Sequence, residues 1–206
     1  MKIGILGGTF NPIHNGHIKM AEAAFNELSL DKVFIIPTNI PPHKHYNREV
    51  SANDRINMCR LATKSYNYIE VSDLEIKREG ISYTFLTLRE IKDKYKDSEL
   101  YFIIGADMFL TIQNWKEPIE IFKLANICVF NRAGIDKLIL AEHYNSLKLK
   151  YGDIINILFL KIPIVDVSST DVRTMIKAGF DIGRFVSECV KSYIIENKLY
   201  LKKFLR

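Results

Sequence analysis

Cysteine is scarce in this chain. Its 206 residues include three, Cys59, Cys128 and Cys189, which are far apart and form no C-x-x-C pair. An odd number of widely spaced cysteines does not make a disulfide framework or a zinc site. We therefore expect three buried thiols in a reducing cytoplasm.

Long hydrophobic runs are also missing, and no stretch approaches the roughly 20 apolar residues that a membrane-spanning helix needs. The chain enters the apolar run 3–6 directly, without the basic segment and cleavage site of a secretory leader. Hydrophobic residues make up 48% of the chain and charged residues 26%, as in soluble globular proteins. The composition predicts a cytoplasmic protein with a single domain, residues 1–206, and no membrane partner.

Acidic residues are fewer than basic ones, because the chain has 24 Asp and Glu and 29 Lys and Arg. Nucleic-acid binding would require these basic residues to cluster with aromatic residues among them, whereas they are spread along the chain. The densest basic run, 198–206, follows a predicted helix, whose C-terminal end favours cations in any case. We expect attraction of small anionic substrates and no nucleic-acid partner.

Apolar, β-branched segments alternate with helical patterns along the chain. The predicted strands are 3–6, 33–37, 69–72, 100–104, 127–130 and 157–160. The predicted helices are 17–28, 52–65, 84–95, 118–124, 137–149, 170–178 and 187–197. Strands without polar alternation are buried on both faces, and helices between them indicate parallel pairing. The sequence predicts an α/β fold, a doubly wound, Rossmann-like parallel sheet with helices on both faces and a small C-terminal helical portion.

The first predicted strand leads into the segment 7–17, Gly-Gly-Thr-Phe-Asn-Pro-Ile-His-Asn-Gly-His. Paired glycines let the backbone approach an anion, and the following helix adds its positive N-terminal end. With His17 in the first helical turn, His14 lies just outside it, so both rings can face one ligand. Neither a G-x-G-x-x-G fingerprint nor a Walker lysine is present. The segment predicts a polyphosphate site, with a plain helix cap and two surface histidines as the alternative.

A proline-rich loop, 37–45, follows the second predicted strand and carries Asn39, His43, Lys44 and His45. Its prolines stiffen it, and a parallel sheet places it beside the first loop. Four of the five histidines therefore gather at one edge of the sheet. Zinc is the rival interpretation, but no cysteine or carboxylate completes a closed ligand set, so we expect no resident metal.

The segment 167–173, Val-Ser-Ser-Thr-Asp-Val-Arg, follows the strand-like stretch 162–165. Its three consecutive hydroxyl groups at a helix start can cap the helix and still donate to an anion. Arg173 lies one turn further on the same face, where a bidentate phosphate contact is possible. A simple N-cap is the alternative.

Between these motifs, Gly105 and Asp107 follow the fourth predicted strand, and Trp115, the only tryptophan, comes eight residues after Asp107. The glycine permits close approach of a ribose, whose hydroxyls Asp107 can bind. Polar neighbours predict that Trp115 is partly exposed, and an exposed indole can stack on a flat, cationic ring. A tryptophan buried in the core is the alternative.

These motifs resemble the nucleotidylyltransferase superfamily. Its [T/H]-x-G-H motif matches His-Asn-Gly-His at 14–17, and its Ile-Ser-Ser-Thr-x-x-Arg motif is similar to 167–173. The long N-terminal form, Gly-Ala-Asp at 105–107 followed by Trp115, and Ser-Tyr-Thr at 82–84 resemble bacterial nicotinate-nucleotide adenylyltransferases in particular. Arg-Ala-Gly at 132–134 approximates that family's Arg-Pro-Gly, and 186–200 resembles its closing helix. The family usually has Asp where this chain has Asn11.

The resemblance implies an enzyme that transfers the adenylyl group of ATP to nicotinic acid mononucleotide, giving deamido-NAD and pyrophosphate, with Mg²⁺ bound to ATP. It implies the catalytic residues His14, His17, Lys44 and Arg173. The implied ATP-binding residues are Gly7, Gly8, Thr9, Phe10, His14, His17, Gly105, Asp107, Ser168, Ser169, Thr170 and Arg173. The implied nicotinate mononucleotide-binding residues are Asn39, Lys44, Thr84 and Trp115. A homo-oligomer is left open.

Other functions are weighed against this one. An adenylyltransferase for phosphopantetheine or riboflavin phosphate has no need of Trp115 and Thr84 together. A nucleotide-binding regulator without turnover disagrees with the intact residues His14, His17 and Arg173. An RNA-binding module of similar fold would need a clustered basic face.

Overall fold

The computed structural model of the protein describes residues 1–42, 50–131, 135–161 and 167–201. Within these ranges the strands are β1 Lys2–Gly8, β2 Lys32–Pro37, β3 Ile69–Val71, β4 Glu99–Gly105, β5 Asn126–Phe130 and β6 Ile157–Leu160. The helices are α1 Asn15–Leu28, α2 Ala52–Thr63, α3 Leu74–Arg78, α4 Thr84–Lys94, α5 Ala106–Phe109, α6 Pro118–Leu124, α7 Lys137–Tyr151, α8 Ser169–Lys177 and α9 Glu188–Glu196. Each predicted strand and helix is confirmed to within two residues at its ends.

The described strands form one sheet in the order β3-β2-β1-β4-β5-β6, and each neighbouring pair is parallel. The chain moves outward from β1 to β3 and then returns to place β4 on the other side of β1. The strand order therefore reverses between β1 and β4. This is the doubly wound, Rossmann-like arrangement, in which ligands bind beyond the carboxyl ends of the strands at the reversal.

Helices cover both faces of the sheet because successive strand residues point to opposite sides. Leu6 and Ile103 pack with residues of α1, α2, α8 and α9 in one cluster. Ile5 and Phe102 pack with residues of α4, α6 and α7 in the other. Each fully buried side chain of this size contributes roughly 1.5–3 kcal/mol to folding. The two clusters hold the carboxyl ends of the central strands in place.

Two of the three cysteines are buried, as expected, and the third is exposed. Cys59 and Cys128 are buried, and burial raises the pKa of both thiols, that of Cys128 to about 12. The expectation is wrong for Cys189, which is exposed. The buried positions of α9 are Val190 and Ile194, one helical turn apart, so Cys189 lies on a different side of the helix.

None of the helices in the described ranges has the length and apolar character needed to cross a lipid bilayer. The strand-like stretch 162–165 and most of the C-terminal basic run, 202–206, lie outside the described residues.

Candidate active site

A cleft of about 670 Å³ opens at the carboxyl ends of β1 and β4. It brings together candidate residues from both ends of the chain and from its middle. The predicted residues in its lining are Gly7, Gly8, Thr9, Phe10, His14, His17, Thr84, Gly105, Asp107, Trp115, Ser168, Ser169, Thr170 and Arg173.

Three other candidates are not among these lining residues. Asn39 does not belong to the lining that the described residues form. Its side chain donates to Gly80 O at 3.3 Å, and its backbone N–H donates to the Ser82 hydroxyl at 3.1 Å, so it holds the turn before α4. Lys44 and the segment 132–134 lie outside the described residues.

The rings of the two histidines that follow β1 lie against each other, tilted by 31°. His14 is the N-cap of α1 and is buried, and its ring centroid lies 3.7 Å from that of His17. The backbone N–H of His14 donates to Nδ1 of His17 at 3.2 Å. Because Nδ1 accepts this hydrogen bond, the neutral His17 ring carries its proton on Nε2. His17 is thereby set as an Nε2–H donor at the wall of the cleft.

Gly8 packs closely against the Phe10 ring. The Phe10 ring packs edge-on against His17, with the centroids 4.9 Å apart. A Cβ atom at Gly8 would lie 3.1 Å from this ring, tighter than ordinary van der Waals contact. Glycine therefore lets Phe10 fold back beneath the loop and support His17.

Side chains from the C-terminal part of the chain form hydrogen bonds with the loop that follows β1. The Arg173 guanidinium donates to Asn11 O at 2.8 Å, and the Ser169 hydroxyl donates to Pro12 O at 2.9 Å. The Tyr200 hydroxyl donates to Asn11 Oδ1 at 2.7 Å. An amide oxygen accepts this hydrogen bond as a carboxylate would, so Asn11 supplies the acceptor that an Asp at this position would supply.

The start of α8 is a capping box. Ser168 donates to the Asp171 carboxylate from both its hydroxyl and its backbone N–H, and these bonds lower the pKa of Asp171. The Ser168 and Ser169 protons are thus used inside the protein. Thr170 differs, because its hydroxyl oxygen accepts from Arg173 at 3.0 Å and keeps its own proton for a ligand. The first turn of α8 therefore offers Thr170 and backbone N–H groups to an anion.

Trp115 and Phe102 line the same cleft, and together we call them the aromatic wall. Trp115 is half-buried, as expected, and its indole N–H donates to the Thr111 hydroxyl at 3.2 Å. Its ring meets Phe102 of β4 edge-on, with centroids 6.1 Å apart. Thr84 begins α4, so the N-terminal end of that helix also faces the cleft. A flat ring beside Trp115 would find donors at the helix end.

Three further polar residues of the site were not predicted from the sequence. Lys177 lines the cleft four residues after Arg173, a spacing that could have revealed it. Arg55 is fully buried in α2 and donates to Thr9 O at 2.8 Å and Thr38 O at 2.7 Å, joining the loops after β1 and β2. Glu75 of α3, also buried, lines the cleft. No sequence signal separates Arg55 and Glu75 from surface charges.

Known proteins are similar to this chain in sequence and in fold. The model of the cytidylyltransferase-like family matches residues 5–175. A probable nicotinate-nucleotide adenylyltransferase of Desulfitobacterium hafniense strain Y51 is 42% identical over 200 residues, which cover 97% of this chain and 95% of that protein. One from Clostridium novyi strain NT is 39% identical over 199 residues, covering 97% of this chain and 98% of that protein.

A solved structure shares the fold at low identity. The nicotinic acid mononucleotide adenylyltransferase of Plasmodium falciparum, complexed with APC, matches with a TM-score of 0.75 at 20% identity. The match covers 97% of this chain and 96% of that one. The chain therefore belongs to the cytidylyltransferase-like family, among the nicotinate-nucleotide adenylyltransferases.

Proposed function

We propose that the protein transfers the adenylyl group of ATP to nicotinic acid mononucleotide, forming deamido-NAD and pyrophosphate. The observation that carries this proposal is the convergence of the His14–His17 pair and Arg173 on one cleft that also holds Trp115. Anion-binding groups and an aromatic face in one cleft suit two nucleotides that react through their phosphates. Relatives that share about two fifths of the sequence carry the same activity in their names.

The reaction needs positioning more than proton transfer. The attacking 5′-phosphate is ionised at neutral pH, so no side chain must deprotonate it. Its oxygen bonds to the α-phosphorus of ATP, while the bond from that phosphorus to the bridging oxygen breaks and pyrophosphate leaves. His14 and the Nε2–H of His17 donate to phosphate oxygens as their charge grows, which lowers the barrier.

Other groups hold the reactants in place. Arg173 and Thr170, at the start of α8, bind the triphosphate. Gly105, at the end of β4, and Asp107, in the following helix α5, bind the ribose of ATP. Lys44 is proposed to meet the attacking phosphate, and its segment lies outside the described residues.

Mg²⁺ is proposed to arrive with ATP. Among the described residues, no group of three or more His, Cys, Asp or Glu side chains could hold a metal ion. The N–H and hydroxyl donors of the cleft suit the phosphate oxygens, so the triphosphate and water would supply most of the ligands of the ion. There Mg²⁺ would neutralise part of the phosphate charge. We also propose a cytoplasmic location, where ATP is available.

The acceptor is selected at the aromatic wall. The pyridinium ring of nicotinate mononucleotide is cationic and suits the face of Trp115. Its carboxylate needs donors, which Thr84 and the N-terminal end of α4 supply. The amide of nicotinamide would leave some of those donors poorly matched, and unmatched buried polar groups discriminate strongly.

A pyrophosphate-release assay tests the proposal directly. With ATP and Mg²⁺, the acceptors are nicotinate mononucleotide, nicotinamide mononucleotide, phosphopantetheine and riboflavin phosphate. We expect the highest kcat/KM with nicotinate mononucleotide. Equal values for nicotinate mononucleotide and nicotinamide mononucleotide would contradict the proposed selection at the pyridine ring. A preference for phosphopantetheine or riboflavin phosphate would overturn the proposed function.

A further inference from the structure

Glu75 lines the cleft and carries a buried carboxylate oxygen with no hydrogen-bond partner among the described residues. The residue is 6% exposed, and its Oε1 accepts a hydrogen bond from the Thr87 hydroxyl at 2.7 Å. Its Oε2 is buried and has no hydrogen-bond partner in the described part of the chain. A buried acceptor without a donor costs free energy, so such a group calls for a ligand that brings one.

A hydrogen-bond network fixes the orientation of this carboxylate. The Thr87 hydroxyl donates to Glu75 and accepts from the Arg78 guanidinium at 2.9 Å. Arg78 also pairs with the exposed Glu90 at 3.1 Å. Since the Thr87 hydroxyl has a single proton and gives it to Oε1, the other carboxylate oxygen of Glu75 is left for a ligand.

The network places Glu75 at the acceptor end of the cleft. Thr87 lies one turn after Thr84 on α4, so both side chains are on one face of that helix. Both line the cleft, together with Glu75 and with Trp115 of the aromatic wall. A ligand that stacks on Trp115 and reaches Thr84 is therefore bound next to Glu75.

The chemistry of the proposed acceptor decides which of its groups can meet a carboxylate. Its nicotinate carboxylate and its 5′-phosphate are anionic acceptors, which Glu75 repels. Its only O–H or N–H donors are the two hydroxyls of the ribose. We propose that Glu75 binds this ribose by accepting a hydrogen bond from the 2′ or 3′ hydroxyl at Oε2. This inference rests on the proposed function and adds a binding residue for the acceptor nucleotide.

The test compares two acceptors on two proteins. Glu75→Gln keeps the shape of the side chain and removes its charge. Charge-assisted hydrogen bonds of this kind are worth roughly 10- to 100-fold in affinity. We expect Glu75→Gln to lower kcat/KM for nicotinate mononucleotide by about 10-fold or more. With the 2′,3′-dideoxy acceptor the partner hydroxyls are gone, and we expect the same substitution to change kcat/KM by about 2-fold or less. The KM for ATP serves as the internal reference and should stay constant.

Glu90→Gln is the matched control, because it removes an exposed carboxylate from the far end of the same network. It should change kcat/KM by less than about 2-fold with either acceptor. An equal penalty of Glu75→Gln on the ribose and dideoxy acceptors would mean that Glu75 only supports α4, and it would overturn the inference.

The unmodified protein gives a second result that does not depend on how a variant folds. It should use the dideoxy acceptor at least about 10-fold less well than the ribose form. Equal use of the two acceptors would also refute ribose binding by Glu75. Either refutation leaves the proposed function intact, whereas failure of the proposed function would appear as a preference for a different acceptor in the pyrophosphate-release assay.

Discussion

The hydrogen bond from the His14 backbone to Nδ1 of His17 decides which atom of the His17 ring can meet a phosphate. We expect His17→Ala to lower kcat by about 10²- to 10³-fold, since one preorganised donor to transition-state charge is lost. The KM for ATP should change much less, because the contact strengthens as the transition state forms. Steady-state rates with saturating acceptor measure both values, and a near-normal kcat would contradict the role of His17.

Substitution of His17 by Gln or by Asn tests which of its ring nitrogens contacts the phosphate. The amide nitrogen of Gln can reach the position of Nε2, whereas that of Asn lies nearer Nδ1. His17→Gln should therefore retain more activity than His17→Asn. The reverse order would show that Nδ1, and not Nε2, faces the reacting phosphate.

We expect Trp115 to bind the acceptor through its ring face, because its N–H is already bound to Thr111. We expect Trp115→Ala to reduce kcat/KM for nicotinate mononucleotide by a factor corresponding to about 1–2 kcal/mol, the worth of a stacked cation. Trp115→Phe keeps an aromatic face and is the matched control. The KM for ATP should stay nearly unchanged, and an equal loss in both substrates would indicate that Trp115 merely supports the fold.

Among the elements, α8 holds the loop after β1, and we propose that it also binds the triphosphate. Arg173 reaches Asn11 O with one nitrogen and the Thr170 hydroxyl with the other. Lysine keeps the charge but has no planar fork, so Arg173→Lys should raise the KM for ATP or lower kcat noticeably, and Arg173→Ala should do so more. Arg89→Lys, at an exposed pair with Glu120, is the control and should have little effect. If Arg173→Ala changes neither constant, α8 only caps the loop.

Element length explains which parts of the site were predictable. Apolar residues at three- and four-residue spacing predicted α1, and the hydroxyl run predicted the start of α8. The short helix α3, Leu74–Arg78, has too few residues to show a period, so its presence was missed. Glu75 was missed with it, although it lines the same cleft.

At the scale of the whole molecule, the strand pattern predicted the sheet, and the sheet predicted that the motifs meet at its carboxyl edge. The contacts that tie the two ends of the chain together could not be predicted. The Asn15 backbone N–H donates to Phe185 O at 2.7 Å, and Tyr200 reaches Asn11 across 189 residues of sequence. No local pattern records such pairs, because they depend on how the completed fold brings distant segments together.

The bond from Tyr200 to Asn11 gives the last prediction, since it joins the end of the chain to the loop that carries both histidines. Tyr200 is buried, and Tyr200→Phe removes the donor to Asn11 Oδ1. We expect a loss of about 0.5–1.5 kcal/mol in the free energy of unfolding, measured by denaturant titration, together with a lower kcat. Tyr151→Phe is the control, because that hydroxyl makes no hydrogen bond within the described residues.

Asn11→Asp should leave both quantities near those of the unmodified protein, because a carboxylate accepts the hydrogen bond from Tyr200 as the amide oxygen does. On the Asn11→Asp background, Tyr200→Phe should cost more than it does with Asn11, because a charged acceptor then loses its donor. The four proteins form a double-mutant cycle that measures how much a negative charge on the acceptor adds to this contact. A Tyr200→Phe protein with unchanged stability and kcat would show that the C-terminal segment does not hold the loop that carries both histidines through this bond.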